Sequence, residues 1–312
     1  MARVAEYTST LPVICVGNFT AGGAGKTPAS AMIVRRLIEM GLRPAILTRG
    51  YGGRERGPHW VRAATGDVSG DTAETVGDEP LLHAAIAPTM VARDRVAGAR
   101  CIEAADRFDV IIMDDGLQNP ALGKSLSIAV VDGRRGVGNG RVIPAGPLRA
   151  PLSRQIGQVD AVLFNGAPDA GVKALFERQL GESRILYGKL VPKPGLALAP
   201  GEKVVAFAGI GHPERFFDTV RNLGCQITEA VAFPDHHAFS SEDARRLVSL
   251  AARHGAPLVT TEKDHVRMVG NSALEGLAAG VVPIGVEMQL EEVSAASLIE
   301  LVRAAVARRS CQ

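Results

Sequence analysis

Residues 12–28, PVICVGNFTAGGAGKTP, limit the possible folds more than any other stretch of the chain. Val13-Ile14-Cys15-Val16 is apolar, rich in β-branched side chains and too short for an independent helix, which predicts a buried strand. A glycine-rich turn follows and ends in Gly25-Lys26-Thr27, and behind it Ala29, Met32, Ile33 and Leu37 recur at helical spacing. Strand, glycine turn, Lys-Thr and helix form a phosphate cradle. Glycines let backbone N–H groups approach an anion, and the helix N-terminus adds roughly half a positive charge. Lys26 is placed to reach the terminal phosphates and the Thr27 hydroxyl to sit on Mg2+. The strict P-loop pattern has a glycine where this chain has Thr20; Gly22 and Gly23 supply backbone freedom one turn later. The expected nucleotide loop is therefore Thr20, Ala21, Gly22, Gly23, Ala24, Gly25, Lys26 and Thr27.

A chain of 312 residues sits where single cores begin to divide. Its net charge of +2, without a basic block or an aromatic-basic strip, argues against a dedicated nucleic-acid binder. Cys15, Cys101, Cys225 and Cys311 are scattered with no Cys-x-x-Cys pair, so neither a zinc site nor a disulfide framework is signalled. No apolar run approaches the roughly twenty residues of a membrane span, and no signal peptide is evident.

Beyond the first helix, residues 43–48 (RPAILT) read as a second strand ending in Arg49-Gly50-Tyr51. Ligands gather at such strand ends in doubly wound folds, so Arg49 and Tyr51 are candidates for an anionic or sugar substrate. Residues 54–77 read as a long loop or small hairpin. Asp78, in Gly77-Asp78-Glu79-Pro80, is either a helix N-cap or a catalytic carboxylate. A short strand at 89–92 and an amphipathic helix at 94–105 follow. Residues 110–118, VIIMDDGLQ, form an apolar strand delivering Asp114 and Asp115 at its carboxyl end, the partner a P-loop needs for Mg2+ and for positioning. After a strand at 127–132, residues 133–147 are too rich in glycine and proline for a helix, and a segment of that length is often functional. Arg134, Arg135, Arg141 and Arg149 are candidate phosphate contacts there. A core strand is expected at 161–165.

Residues 183–201 read as a linker of two short extended pieces. Beyond it a strand at 204–207 precedes Gly209-Ile210-Gly211, a weak dinucleotide signal lacking the third glycine. A helix follows at 214–223. In Phe233-Pro234-Asp235-His236-His237, adjacent side chains diverge, so one histidine at most serves a given site, and acid–base work is favoured over metal binding. Ser240 to Asp243 is a capping signature opening a helix through 254. Strands at 257–261, the first leading into Glu262-Lys263-Asp264, and at 281–286 precede a closing helix over 294–308. The fold expectation is α/β: a P-loop NTPase-like α/β/α core over 1–187, a short β linker, and a smaller α/β/α domain over 194–312 closing the cleft.

The assembled motifs VGNFTAGGAGKTP, TRGYGG, GDEP, DDGLQ, GNGRVIPAGPLR, AFAGIGHPERFF, FPDHHAF and TEKD occur in one order across almost the whole length. In this the chain resembles the tetraacyldisaccharide 4'-kinase (lipid A 4'-kinase) family of Gram-negative bacteria. The resemblance implies transfer of the γ-phosphoryl of ATP, with Mg2+, to the 4'-hydroxyl of a lipid-linked disaccharide 1-phosphate, giving lipid IVA. Carried over, Thr20 to Thr27 is the ATP loop, with a residue other than glycine at Thr20 usual for the family. Asp114 and Asp115 match the Walker-B acids and Gln118 the glutamine after them. Asp78 matches the proposed base and His236 the histidine supporting it, while Asn139 and Arg149 fall with Arg49 and Tyr51 on the substrate side. It also implies a monomer held peripherally on the cytoplasmic face of the inner membrane, with no partner nucleic acid. Two departures stand out. Relatives begin with an extra apolar and basic membrane-seating segment, whereas this sequence reaches its first strand after about a dozen residues, and Ala150 stands where many relatives carry an acid. The competing readings are a P-loop switch or partner-binding ATPase and a kinase of a soluble small molecule. A GTP-dependent switch would need Asn-Lys-x-Asp, which Thr261-Glu262-Lys263-Asp264 does not supply.

Overall fold

A computed structural model describes residues 7–62, 70–196 and 198–307. Cys311, Arg308 at the end of the expected closing helix, and residues 63–69 of the expected loop lie outside the described residues. The strands in chain order are β1 (Val13–Gly17), β2 (Pro44–Thr48), β3 (His59–Trp60), β4 (Thr89–Val91), β5 (Val110–Asp114), β6 (Leu126–Asp132), β7 (Ala161–Asn165) and β8 (Ile185–Pro192). They continue with β9 (Lys203–Ala208), β10 (Gln226–Ala232), β11 (Leu258–Thr261), β12 (Val281–Ile284) and β13 (Val286–Leu290). Nine of them form one sheet in the order β13-β8-β7-β6-β1-β5-β2-β4-β3, and four form a second in the order β10-β9-β11-β12.

The central strands read as unbroken apolar runs because both faces are covered. Alternate residues go to opposite layers. Val13, Cys15, Ala45, Leu47, Ile111 and Met113 pack into one cluster with Ala99, Ile102 and Phe176 from helices. Ile14, Val16, Ile46, Val110 and Ile112 join the other, with Ala29, Ile33 and Leu37 of the helix Lys26–Glu39 and Leu298 and Val302 of the helix Glu292–Ala307. β1 lies between β5 and β6, both parallel to it. Their carboxyl ends therefore open a crevice at the point where the order reverses, the place where ligands bind in such sheets.

The linker expectation fails at residues 185–192. They form β8, paired in parallel with β7 and antiparallel with β13. Gly188, which suggested a break, is needed there because a Cβ would come 2.9 Å from the Gln289 carbonyl oxygen. The strand expected over 281–286 is two, parted at Gly285, with β12 in the small sheet and β13 in the large one. By sheet membership, then, the first unit takes residues up to 192 and also 286–307, and the second is the insertion 203–284 between them. The expected division at 187 and 194 gives everything after the linker to the second unit. A four-residue apolar strand carries no mark of which sheet will accept it.

Candidate active site

Gly25 caps the helix Lys26–Glu39 with φ 97°, a conformation that favours glycine, and an added Cβ would lie 2.9 Å from Asn165 Nδ2. Thr20 needs no such freedom. It bridges antiparallel to Leu148, while the Ala21 N–H donates to the Pro147 carbonyl at 2.8 Å. The irregular segment 133–151 is thus the floor under the front of the loop, which explains why a threonine serves where the strict motif has glycine.

Parallel register sets Val16 of β1 beside Asp114 of β5, so the loop after one strand meets the acids at the end of the other. Asp114 is fully buried; Ser30 Oγ donates to its Oδ1 at 2.7 Å, and His83 Nε2 lies 3.1 Å from Oδ2. Burial opposes ionisation of Asp114, but His83, Ser30 and Lys26 together hold its pKa below the ordinary carboxylate value. Asp115 turns outward with φ 49°, lies 3.7 Å from Lys26 Nζ, and accepts from Arg149 at 3.1 Å. Gln118 donates to the Asn18 carbonyl and to Gln155, both at 2.8 Å.

The second wall begins with the loop after β2. Its glycines let it lie backbone to backbone on the start of the next helix: a Cβ on Gly53 would lie 2.5 Å from the Val76 carbonyl carbon. Gly77, not Asp78, takes the N-cap position of the helix Asp78–Ala84, so capping does not account for the aspartate. Asp78 is buried and receives Arg267 through Nε at 2.9 Å and through Nη2. His236 Nδ1 lies 3.4 Å from the same Oδ2. Burial pushes the Asp78 pKa up, yet the His236 hydrogen bond and the Lys263 and Arg267 charges outweigh it and hold the carboxyl well below its usual range. The hydrogen bond to Asp78 correspondingly raises the His236 pKa. His236 carries φ 57°, an uncommon backbone state for a residue with a side chain, and its ring lies 5.3 Å from that of exposed Tyr51. His237 turns the other way, 3.1 Å from Asp243 at the cap of the next helix.

Glu79, Lys263 and Arg267 were not among the expected site residues. A single oxygen, Glu79 Oε1, accepts from the Thr27 hydroxyl at 3.0 Å and from Lys263 Nζ at 2.5 Å. Lys263 and Arg267 lie on the helix Glu262–Met268, where the sequence suggests only charge at a strand end. The signal was present: Thr261 accepts from the Asp264 N–H as an N-cap, the Thr-x-x-Asp pattern of a helix start. Asp264 in turn anchors Arg267, which also donates to the Gly209 carbonyl at 2.7 Å. The Gly-x-Gly turn thus holds this arginine by its backbone. Of the other expected residues, Arg49 is exposed at the rim, and Asn139 folds back to donate to the Ala145 carbonyl at 2.9 Å.

Glycine loop, parallel register and paired acids put the chain in the P-loop nucleoside-triphosphate-binding class. The sequence matches the family described as tetraacyldisaccharide-1-P 4'-kinase over residues 2–305. It is 54% identical over 261 residues to the tetraacyldisaccharide 4'-kinase of Methylorubrum extorquens (strain PA1), covering 84% of this chain and 78% of that protein. Against the Methylobacterium nodulans enzyme of the same name it is 49% identical over 292 residues, 93% of this chain and 83% of the other. In three dimensions it resembles LpxK from Aquifex aeolicus, solved in complex with ATP, with a TM-score of 0.68 at 24% identity over 97% of this chain and 91% of that one. The chain belongs to the tetraacyldisaccharide 4'-kinase family.

Proposed function

We propose that this chain transfers the γ-phosphoryl group of ATP to the 4'-hydroxyl of a tetraacyldisaccharide 1-phosphate, giving the bis-phosphorylated lipid A precursor. Family membership across the chain supports the activity. The mechanism rests on one observation: Asp78 of the first unit and His236 of the second meet at 3.4 Å, one residue away from the glutamate bonded to Thr27 of the glycine loop.

Backbone N–H groups of residues 20–27 and the Lys26 ammonium hold the phosphates, so the reaction proceeds by positioning and charge stabilisation without a covalent intermediate. Asp78 accepts the proton of the attacking hydroxyl. The ion pair with Arg267 keeps it ionised and weakly basic, so a productive complex loosens that pair as the hydroxyl takes its place. His236 keeps the carboxylate oriented toward the cleft, and Tyr51, whose ring is tilted against that of His236, offers an aromatic face to the sugar. Arg49 and Arg149 flank the substrate side.

The donors suit Mg2+. They are hard oxygens, and among the described residues no three His, Cys, Asp or Glu side chains form a closed metal cage. A site completed by nucleotide phosphates fits that pattern. Thr27, Glu79 and Asp115 would hold the ion, with Asp114 acting from behind, and it would neutralise charge developing on the phosphoryl oxygens. Every side chain in this scheme comes from one chain, so a monomer suffices. No helix among the described residues is long and apolar enough to cross a membrane. An acylated substrate calls for docking on a membrane surface, on the cytoplasmic face of the inner membrane where ATP is found.

The test is incubation with γ-labelled ATP, Mg2+ and the tetraacylated disaccharide 1-phosphate in detergent. Label should enter the lipid in the presence of Mg2+ and not after its chelation. Equal labelling of a deacylated, water-soluble disaccharide would overturn the lipid assignment, and nucleotide hydrolysis with no labelled lipid would overturn the kinase reading.

A further inference from the structure

Charge balance in the cleft points beyond the glycine loop. The first unit brings four carboxylates to one place, Asp78, Glu79, Asp114 and Asp115; its own Lys26 and Arg149 pair with Asp115, and the buried Arg95 guanidinium stands close enough to Asp114 and Asp115 to feel their charge. Among the described residues, no cation of the first unit forms an ion pair with Asp78 or Glu79. The other two cations, Lys263 and Arg267, come from the helix Glu262–Met268 of the second unit. They differ in how they are held. Arg267 is nearly buried, its side chain only 8% exposed, and is committed to Asp78, Asp264 and the Gly209 carbonyl. Lys263 is 31% exposed, and its one hydrogen bond among the described residues goes to Glu79 Oε1, the oxygen that also takes the Thr27 hydroxyl.

That shared oxygen fixes where the ammonium is. Thr27 closes the glycine loop, so a group one carboxylate oxygen away stands at the phosphate end of a bound nucleotide. A lysine ammonium is a compact charge on a flexible stem, suited to moving from a carboxylate to a phosphate oxygen without moving its helix.

We propose that Lys263 is a second phosphoryl-binding cation, delivered by the second unit, which leaves Glu79 for the terminal phosphate of the nucleotide and stabilises the charge that grows there during transfer. It rests on the nucleotide reading of the glycine loop, and it makes the site complete only when the two units are together. Lys263 thereby becomes a catalytic residue whose effect falls on the transition state more than on nucleotide binding.

The test compares the full-length wild type with Lys263→Met and Lys263→Arg. Lys263→Met should lower kcat by about 10²–10³-fold while changing the Kd for Mg·ATP by less than about threefold. The affinity for Mg·ADP with aluminium fluoride, which mimics the phosphoryl group in flight, should fall about as far as kcat, with the affinity for Mg·ADP retained. Lys263→Arg should recover part of both losses. Equal weakening of Mg·ADP and the aluminium fluoride complex would overturn the proposal. So would unchanged kcat with a lowered Tm, the signature of a lysine that only ties the two units together. Failure of the wild type to bind ATP would instead overturn the nucleotide reading first, and this inference with it.

Discussion

The two walls of the cleft are built on opposite principles. On the first, Lys26, Asp114 and Asp115 sit where adjacent parallel strands end, and buried Asp114 is fixed by Ser30 and His83 of its own unit. On the second, Asp78 and Glu79 are fixed by Arg267, His236 and Lys263, residues more than 150 positions away that belong to the other unit. The first wall is preformed by the backbone. The second exists only as long as two units stay docked, held by ion pairs whose geometry can change with what enters the cleft. A nucleotide site can therefore persist without the second unit, whereas the proton acceptor cannot be correctly placed without it.

Four measurements sharpen or break that contrast. The largest effect is expected on the preformed wall: Lys26→Ala should abolish transfer with the fold intact, and surviving turnover, measured as labelled lipid, would remove the loop from the mechanism. On the assembled wall, Asp78→Ala should lower kcat by about 10²–10⁴-fold with a much smaller change in the Kd for ATP. Comparable losses in both would make Asp78 a binding residue and erase the difference between the walls.

The third measurement uses pH. The Asp78 pKa is depressed in the folded state, so its ion pair contributes stability that is fully present above the unfolded carboxylate value near ~4 and disappears as the pH falls through the folded value. Urea midpoints followed from pH 7 to pH 3 should therefore decline less steeply in Asp78→Asn than in the wild type. Arg267→Met, which leaves a buried carboxylate without its cation, should cost about 3–5 kcal/mol at neutral pH and less on acidification. Parallel curves for all three would show that the pair does not hold the units together. The smallest effect should be at Asn139, whose side chain serves its own loop: Asn139→Ala should change stability by no more than about 0.5 kcal/mol and kcat less than twofold. A large loss in KM for the lipid would instead put Asn139 in contact with substrate.

What could be read in advance follows the same division. Six strands of the large sheet, β1, β2, β4, β5, β6 and β7, were visible as apolar runs, and their edges at β1, β2, β5 and β7 fell within a residue or so of the expectation. The glycine loop was visible because its chemistry is contiguous. β8 was not, because a glycine and a proline in an exposed-looking segment resemble a connection unless the partner strands are known. Glu79 and Lys263 each lay inside a quoted motif, GDEP and TEKD, but one charged residue among several carries no sign of which neighbour it will face.

The sequence by itself determined the local chemistry: a strand, a glycine turn and Lys26-Thr27 within seventeen residues can do little except cradle phosphate, because backbone geometry over that distance is set by the residues themselves. The tertiary structure alone decided that β13 returns to the large sheet while β12 stays in the small one, and that Arg267 and Lys263 close on Asp78 and Glu79. Those outcomes depend on burying apolar faces and neutralising charges across separations for which sequence spacing carries no information.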